Sequence, residues 1–153
     1  MSIGYDFMSL KENKAIVHRL IEAENERNYA LFDEIMTPDF VISGTPTRGR
    51  EIYKQSCKTF IKAFPDFHGT IEDTIAEGDM VWIRAKYTGT HKGEHFGIAP
   101  TGKKVTMTAV AIYRIVEGKV AEMWTLIGMD FFKGIGAIEY TENGKKLFPE
   151  DVK

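Results

Sequence analysis

In the stretch "EMWTLIGMDFF", Glu122 to Phe132, Asp130 is a lone acid among Trp, Leu, Ile, Met and Phe. A carboxyl set in an apolar wall loses solvation, its pKa rises, and it becomes a usable general base or acid near neutral pH. The competing role for Asp130 is structural. Asp is favoured as a helix N-cap, and "FFKGIGAIEY" after it reads as a closing helix. Glu122 is the alternative acid, two residues before Trp124, unless it forms a rim pair with Arg84 or Arg114.

Other side chains could bind or shuttle a proton. His91 and His95 in "HKGEH" have a spacing that ligates zinc on a helix, but Gly93 and the flanking "TGT" make this a loop, so no metal site is expected. A rim histidine over a pocket is the chemical role left to His91, with a near-neutral pKa suited to proton transfer, against a solvated loop histidine. Tyr113 could donate its phenol proton to a ligand oxygen or simply pack in the core. Trp124, Met107, Met123 and Trp82 are the apolar candidates for ligand contact; Met and Phe clusters such as these with Phe131 and Phe132 also build ordinary cores.

The elements that must position these residues follow from periodicity. Ser9 and Glu12 in "SLKE" form a capping box ahead of Ile16, Val17, Leu20 and Ile21, the apolar stripe of a first helix. "YALFDEIM" predicts a short second helix to about Met36, and "DFVIS" a short strand followed by the loop "GTPTRG". "REIYKQSCKTFIKAF" carries a third helix that ends at Pro65. From His68 the period becomes two. Gly78-Asp79 and Glu117-Gly118 mark turns between long strands, which predicts an α+β fold with helices on one face of a curved antiparallel sheet. Val81, Ile83, Ala85 and Tyr87 share one strand face, as do Met107, Ala109, Ala111 and Tyr113 on the next strand. The opposite face also carries apolar residues, which predicts a homodimer through the sheet. Gly128 is the expected position of a bulge in the last strand.

Composition bounds the rest. The 153 residues make one domain with a formal charge of -2 from 20 basic and 22 acidic residues, without a nucleic-acid footprint. Cys57 is the single cysteine, so no intramolecular disulfide can form, and a reducing cytoplasm fits. No segment has the length and apolarity of a membrane span or signal peptide.

Four motifs occur in one order: "FPDF" at Phe64 to Phe67, "AEGD" at Ala76 to Asp79, "GTHKGEHFGIAPTGKKV" at Gly89 to Val105, and "YRIVEGKVAEMW" at Tyr113 to Trp124. Together they resemble the SnoaL-like polyketide cyclase family, in the nuclear transport factor 2-like superfamily, over about residues 10 to 136. The resemblance implies a cone-shaped α+β barrel, three N-terminal helices on a curved sheet around a deep apolar cavity, with dimerisation through the sheet's outer face. It also implies an intramolecular aldol condensation without metal or organic cofactor, in which a desolvated carboxylate takes the proton and polar groups steady the enolate. In the family the acid lies three or four residues past the tryptophan. Here those positions are Ile127 and Gly128, and the loop "SGTPT", where related isomerases keep an acid, has none. The expected function is a cofactor-free cyclase or isomerase acting by acid-base catalysis on a hydrophobic carbonyl compound. The alternative is a small-molecule binding module that has lost the family acid.

Overall fold

The computed structural model describes residues 9–141 and 144–147. Helix α1, Leu10–Asn25, starts at the expected capping box: Ser9 N–H reaches Glu12 Oε2 at 2.7 Å, and Glu12 N–H reaches Ser9 Oγ at 3.2 Å. Two of the unpaired donors at this helix end are thereby satisfied. A 3-10 turn, Tyr29–Leu31, and the short α2, Phe32–Ile35, lead into β1, Met36–Ile42. The strand takes in Pro38, which a sheet edge tolerates because no ladder donor is lost there. Helix α3, Arg50–Ala63, is tied to α2 by Asp33, which accepts Lys54 Nζ at 2.6 Å and forms an ion pair with Arg50, its Oδ1 3.0 Å from Nε.

Strands β2, His68–Glu77, β3, Met80–Thr90, β4, Lys104–Val116, and β5, Lys119–Ile127, form an antiparallel meander. The sheet order is β1-β5-β4-β3-β2, and β1 lies parallel to β5, so one edge of the otherwise antiparallel sheet is parallel. The sheet stays open. Two bulges bend its antiparallel part: Glu72 is the extra residue between the pairs Ile71–Ala85 and Asp73–Arg84, and Ala121 between Val120–Ile115 and Glu122–Arg114. The core lies between the helices and the inner sheet face, where Val17, Leu20, Phe32, Phe40 and Phe64 are fully buried.

The closing helix is shorter than the sequence predicts. Helix α4 covers Met129–Gly134, and Ile138–Thr141 is instead a strand, β6, that pairs with β7, Gly144–Leu147. Gly136, at φ 79°, turns the chain out of the helical path. No helix among the described residues is long and apolar enough to cross a membrane.

Candidate functional site

The inner face of the sheet is not filled by side chains. Ala85 stands opposite Ala109, and Ala111 opposite Ile83, so small residues floor a trough through the middle of β3 and β4. Above it α3 packs toward β1 and α2 and turns Tyr53, Cys57 and Phe60 inward, leaving a cavity of about 730 Å³. That is the size of a site for a drug-sized molecule. Ile52, Phe96 and Ile127 line it and are at the same time solvent-exposed, which places the mouth between α3, the loop after β3 and the end of β5.

The wall is largely apolar, and its polar groups are few. Glu24, from the last turn of α1, lines the cavity and accepts the Tyr53 phenol at Oε1, 2.6 Å away. Local structure fixes it there. Asn25 bonds Gly69 in both directions, at 2.9 and 2.7 Å, and locks the end of α1 onto β2. Arg27, at φ 60°, ends the helical run and donates to the carbonyl oxygens of Glu24, Asn25, Pro65 and Phe67. Burial pushes the Glu24 carboxyl up to about 7, against the lowering effects of the Tyr53 bond and the Arg27 charge.

Tyr87 and Tyr113 also line the cavity, and among the described residues neither hydroxyl has a hydrogen-bond partner. Burial holds both phenols above the ordinary tyrosine range, and the Glu24 charge adds to the effect, so the three groups sense one another. Tyr87 stacks on Phe67 at 5.1 Å, and its ring lies over Gly69, where a Cβ would overlap it. Cys57 is held far above the usual thiol range, first by burial and then by Glu24, and stays protonated.

The histidine loop docks on the C-terminal end of α3 through Lys92 and Gly93, whose N–H groups donate to Ala63 O at 2.8 and 3.1 Å. It sorts the two histidines unlike the expectation. His91 is completely buried, stacked on Phe64 at 5.2 Å with Nδ1 3.1 Å from Thr101 Oγ1, behind the cavity wall. His95 lines the cavity, ringed by Phe60, Phe64, Phe96 and Phe131. Burial lowers the pKa of both, which favours neutral imidazole.

Of the other candidates, Tyr113, Met107 and Met123 are in the cavity wall. Trp124, Glu122 and Trp82 are on the opposite sheet face, a correction with a specific cause on β5. The bulge falls at Ala121 instead of Gly128, so Val120 and Met123 both turn inward while Glu122 and Trp124 turn outward. There Glu122 accepts Ser43 Oγ and Arg114 Nε, and the Arg114 guanidinium sits 5.7 Å over the Trp124 ring. Trp82 is 47% exposed on the same outer face.

Asp130 is exposed and does not line the cavity. Gly128 N–H bonds Thr108 O at 2.7 Å, ends the strand and serves as N-cap, so Asp130 falls in the first turn of α4. Its carboxylate accepts Phe131 N–H at 3.0 Å and the hydroxyl of Thr108, an outer-face residue, at 3.4 Å. Ile127, where the resemblance places an acid, does line the cavity, but as an apolar residue. Glu24 escaped the sequence reading although its signal is present: it follows Leu20 by four and Ile21 by three, an acid on the apolar stripe of α1.

Comparisons with known proteins bear on the family and the fold. Aklanonic acid methyl ester cyclase AcmA of Streptomyces galilaeus is 27% identical over 117 residues, covering 72% of this chain and 81% of that protein. AclR from Streptomyces galilaeus superposes with a TM-score of 0.74 at 31% identity, covering 84% of this chain and 98% of its own. IdmH from Streptomyces antibioticus superposes at 0.72 with 27% identity, covering 81% and 98%. The family pattern of SnoaL-like polyketide cyclases matches residues 14–129, the span that carries most of α1, the whole five-stranded sheet and all of the cavity wall but Phe131 and Phe132, and the chain belongs to that family.

Proposed function

We propose that the protein is an acid-base cyclase or isomerase that acts, without a cofactor, on a hydrophobic carbonyl compound bound between α3 and the sheet. One observation carries this reading: a cavity of about 730 Å³ with mostly apolar walls and a small group of polar side chains, Glu24, Tyr53, Tyr87 and Tyr113, within electrostatic reach of one another. Such a wall desolvates an apolar ligand, and the few polar groups orient its oxygens. Tyr113 is suited to donate to a ligand oxygen, while Met107 and Met123 supply adaptable apolar contact. The name of the Streptomyces relative, a cyclase of aklanonic acid methyl ester, supports the reaction class.

The binding-module reading is favoured by one residue, Ile127, which puts an apolar side chain on the cavity wall where the resemblance places the acid. Thermal-shift titration with aryl ketones and hydrophobic 1,3-diketones tests occupancy, because a ligand selective for the native state raises apparent stability. Stabilisation is expected in the wild type and lost in Ala111→Phe, which fills the trough. No stabilisation by any compound of the panel would sink the cavity-binding premise of both readings. Binding without proton exchange at the carbon next to the carbonyl favours the module. The proposed protein partner is a second copy of the chain on the outer sheet face.

A further inference from the structure

We infer that Glu24 is the acid-base residue of this cavity and that Tyr53 positions it. The assignment rests on the cyclase or isomerase reading above and supplies, from the first helix, the carboxylate that the cavity-facing side of β5 lacks. Glu24 is half-buried, and what surface it retains belongs to a residue of the cavity wall. Its two oxygens are unequal. Oε1 accepts a hydrogen bond from the Tyr53 phenol at 2.6 Å, and among the described residues Oε2 has no hydrogen-bond partner. One oxygen is therefore anchored while the other is left to take a proton.

Among the described residues, the groups around the carboxylate leave its charge without an ion-pair partner. Tyr53 and Cys57 face it from α3, Tyr29 from the 3-10 turn, Tyr87 from β3 and Tyr113 from β4. Arg27 is the cation among them, and its guanidinium donates to four backbone carbonyls and forms no salt bridge with Glu24. A base held this way retains its proton affinity.

The step balances without an oxidant or reductant. Oε2 takes a proton from the carbon between two carbonyls, and the C–H electron pair moves into an enolate whose oxygen the Tyr87 or Tyr113 hydroxyl steadies. The enolate carbon bonds to the carbon of a further carbonyl elsewhere in the same molecule. The π pair of that carbonyl moves to its oxygen, which recovers the proton from Glu24, so substrate and product are isomers.

The test uses the full chain and benzoylacetone, a hydrophobic 1,3-diketone, following protein-catalysed deuterium exchange at its methylene carbon together with its Kd. In the wild type the exchange rate is expected to rise with pH through about 7, as the carboxylate forms. Glu24→Gln keeps the size and an acceptor for Tyr53, and is expected to slow exchange about a hundredfold or more with Kd nearly unchanged. Tyr53→Phe removes the bond that favours the charged form, so its midpoint moves upward. Equal exchange in wild type and Glu24→Gln would overturn the assignment and leave the enzyme reading standing. Binding without exchange in the wild type would overturn both. Should Glu24→Gln fail to fold, an unmoved midpoint in Tyr53→Phe overturns the assignment on its own.

Discussion

Glu24 links chemistry to stability through one proton. Its ordinary carboxyl value of 4.5 is raised to about 7 in the fold, mainly by burial. Between those values the native state holds more protons than the unfolded chain, so the Glu24 contribution to stability is full below about pH 4.5 and is lost as pH rises through 7. The loss is bounded by about 3 kcal/mol, less whatever cavity water restores. Glu24→Gln is therefore expected to be more stable than wild type at pH 8 and to lose that advantage by about pH 4, in urea melts. A difference that does not depend on pH would contradict the raised value. The same residue shows a limit of sequence reading: Tyr113, Met107 and Met123 stand out as pocket candidates by side-chain type, whereas an acid closing a helical stripe looks like the ordinary polar end of an amphipathic helix.

At the scale of elements, α1 holds the acid at its C-terminal end, and its two ends do different work. The capping box at Ser9 supports helix formation, so Ser9→Ala should cost about 1 kcal/mol and leave the cavity alone. Asn25 clamps the other end to Gly69 by two hydrogen bonds, and Asn25→Ala should cost about 2 kcal/mol and leave Glu24 less firmly placed. Urea melts should thus show both losses, while benzoylacetone binding weakens only in Asn25→Ala. Equal binding in the two variants would show that the Asn25 clamp does not position the site. The order of elements from α1 to β5, both hairpin turns and the inward face of β3 followed from periodicity, whereas β4, apolar on both faces, did not show which one turns inward. The faces of β5 did not follow either, because the Ala121 bulge adds one residue without a glycine or proline to mark it, and Trp124 and Glu122 changed sides with it. Helix α4 closed early for a related reason: a short amphipathic run resembles a helix until Gly134 and Gly136 interrupt it.

For the whole molecule, the two sheet faces have different work to do. On the outer face Ile75 stands opposite Trp82, Trp82 opposite Ile112, and Ile112 opposite Trp124, an apolar row across four strands, with Leu126 beside it. Ile75 is 67% and Leu126 75% exposed, and no described helix covers them. Ion pairs border the row: Arg84 with Glu72 and Asp73, and Arg114 with Asp79 and Glu122. An apolar centre with a charged rim is the anatomy of a protein interface, and a row that crosses the sheet can meet its own copy around a two-fold axis. The homodimer proposed on this face buries the two tryptophans, and sedimentation of the wild type should give twice the chain mass. Trp82→Arg with Leu126→Glu should give the monomer. Because the cavity opens on the other face, the monomeric variant should keep its affinity for benzoylacetone. A wild type that sediments as a monomer at micromolar concentration would remove the dimer, and a loss of binding in the monomeric variant would show that the outer face, Trp82 included, takes part in the site.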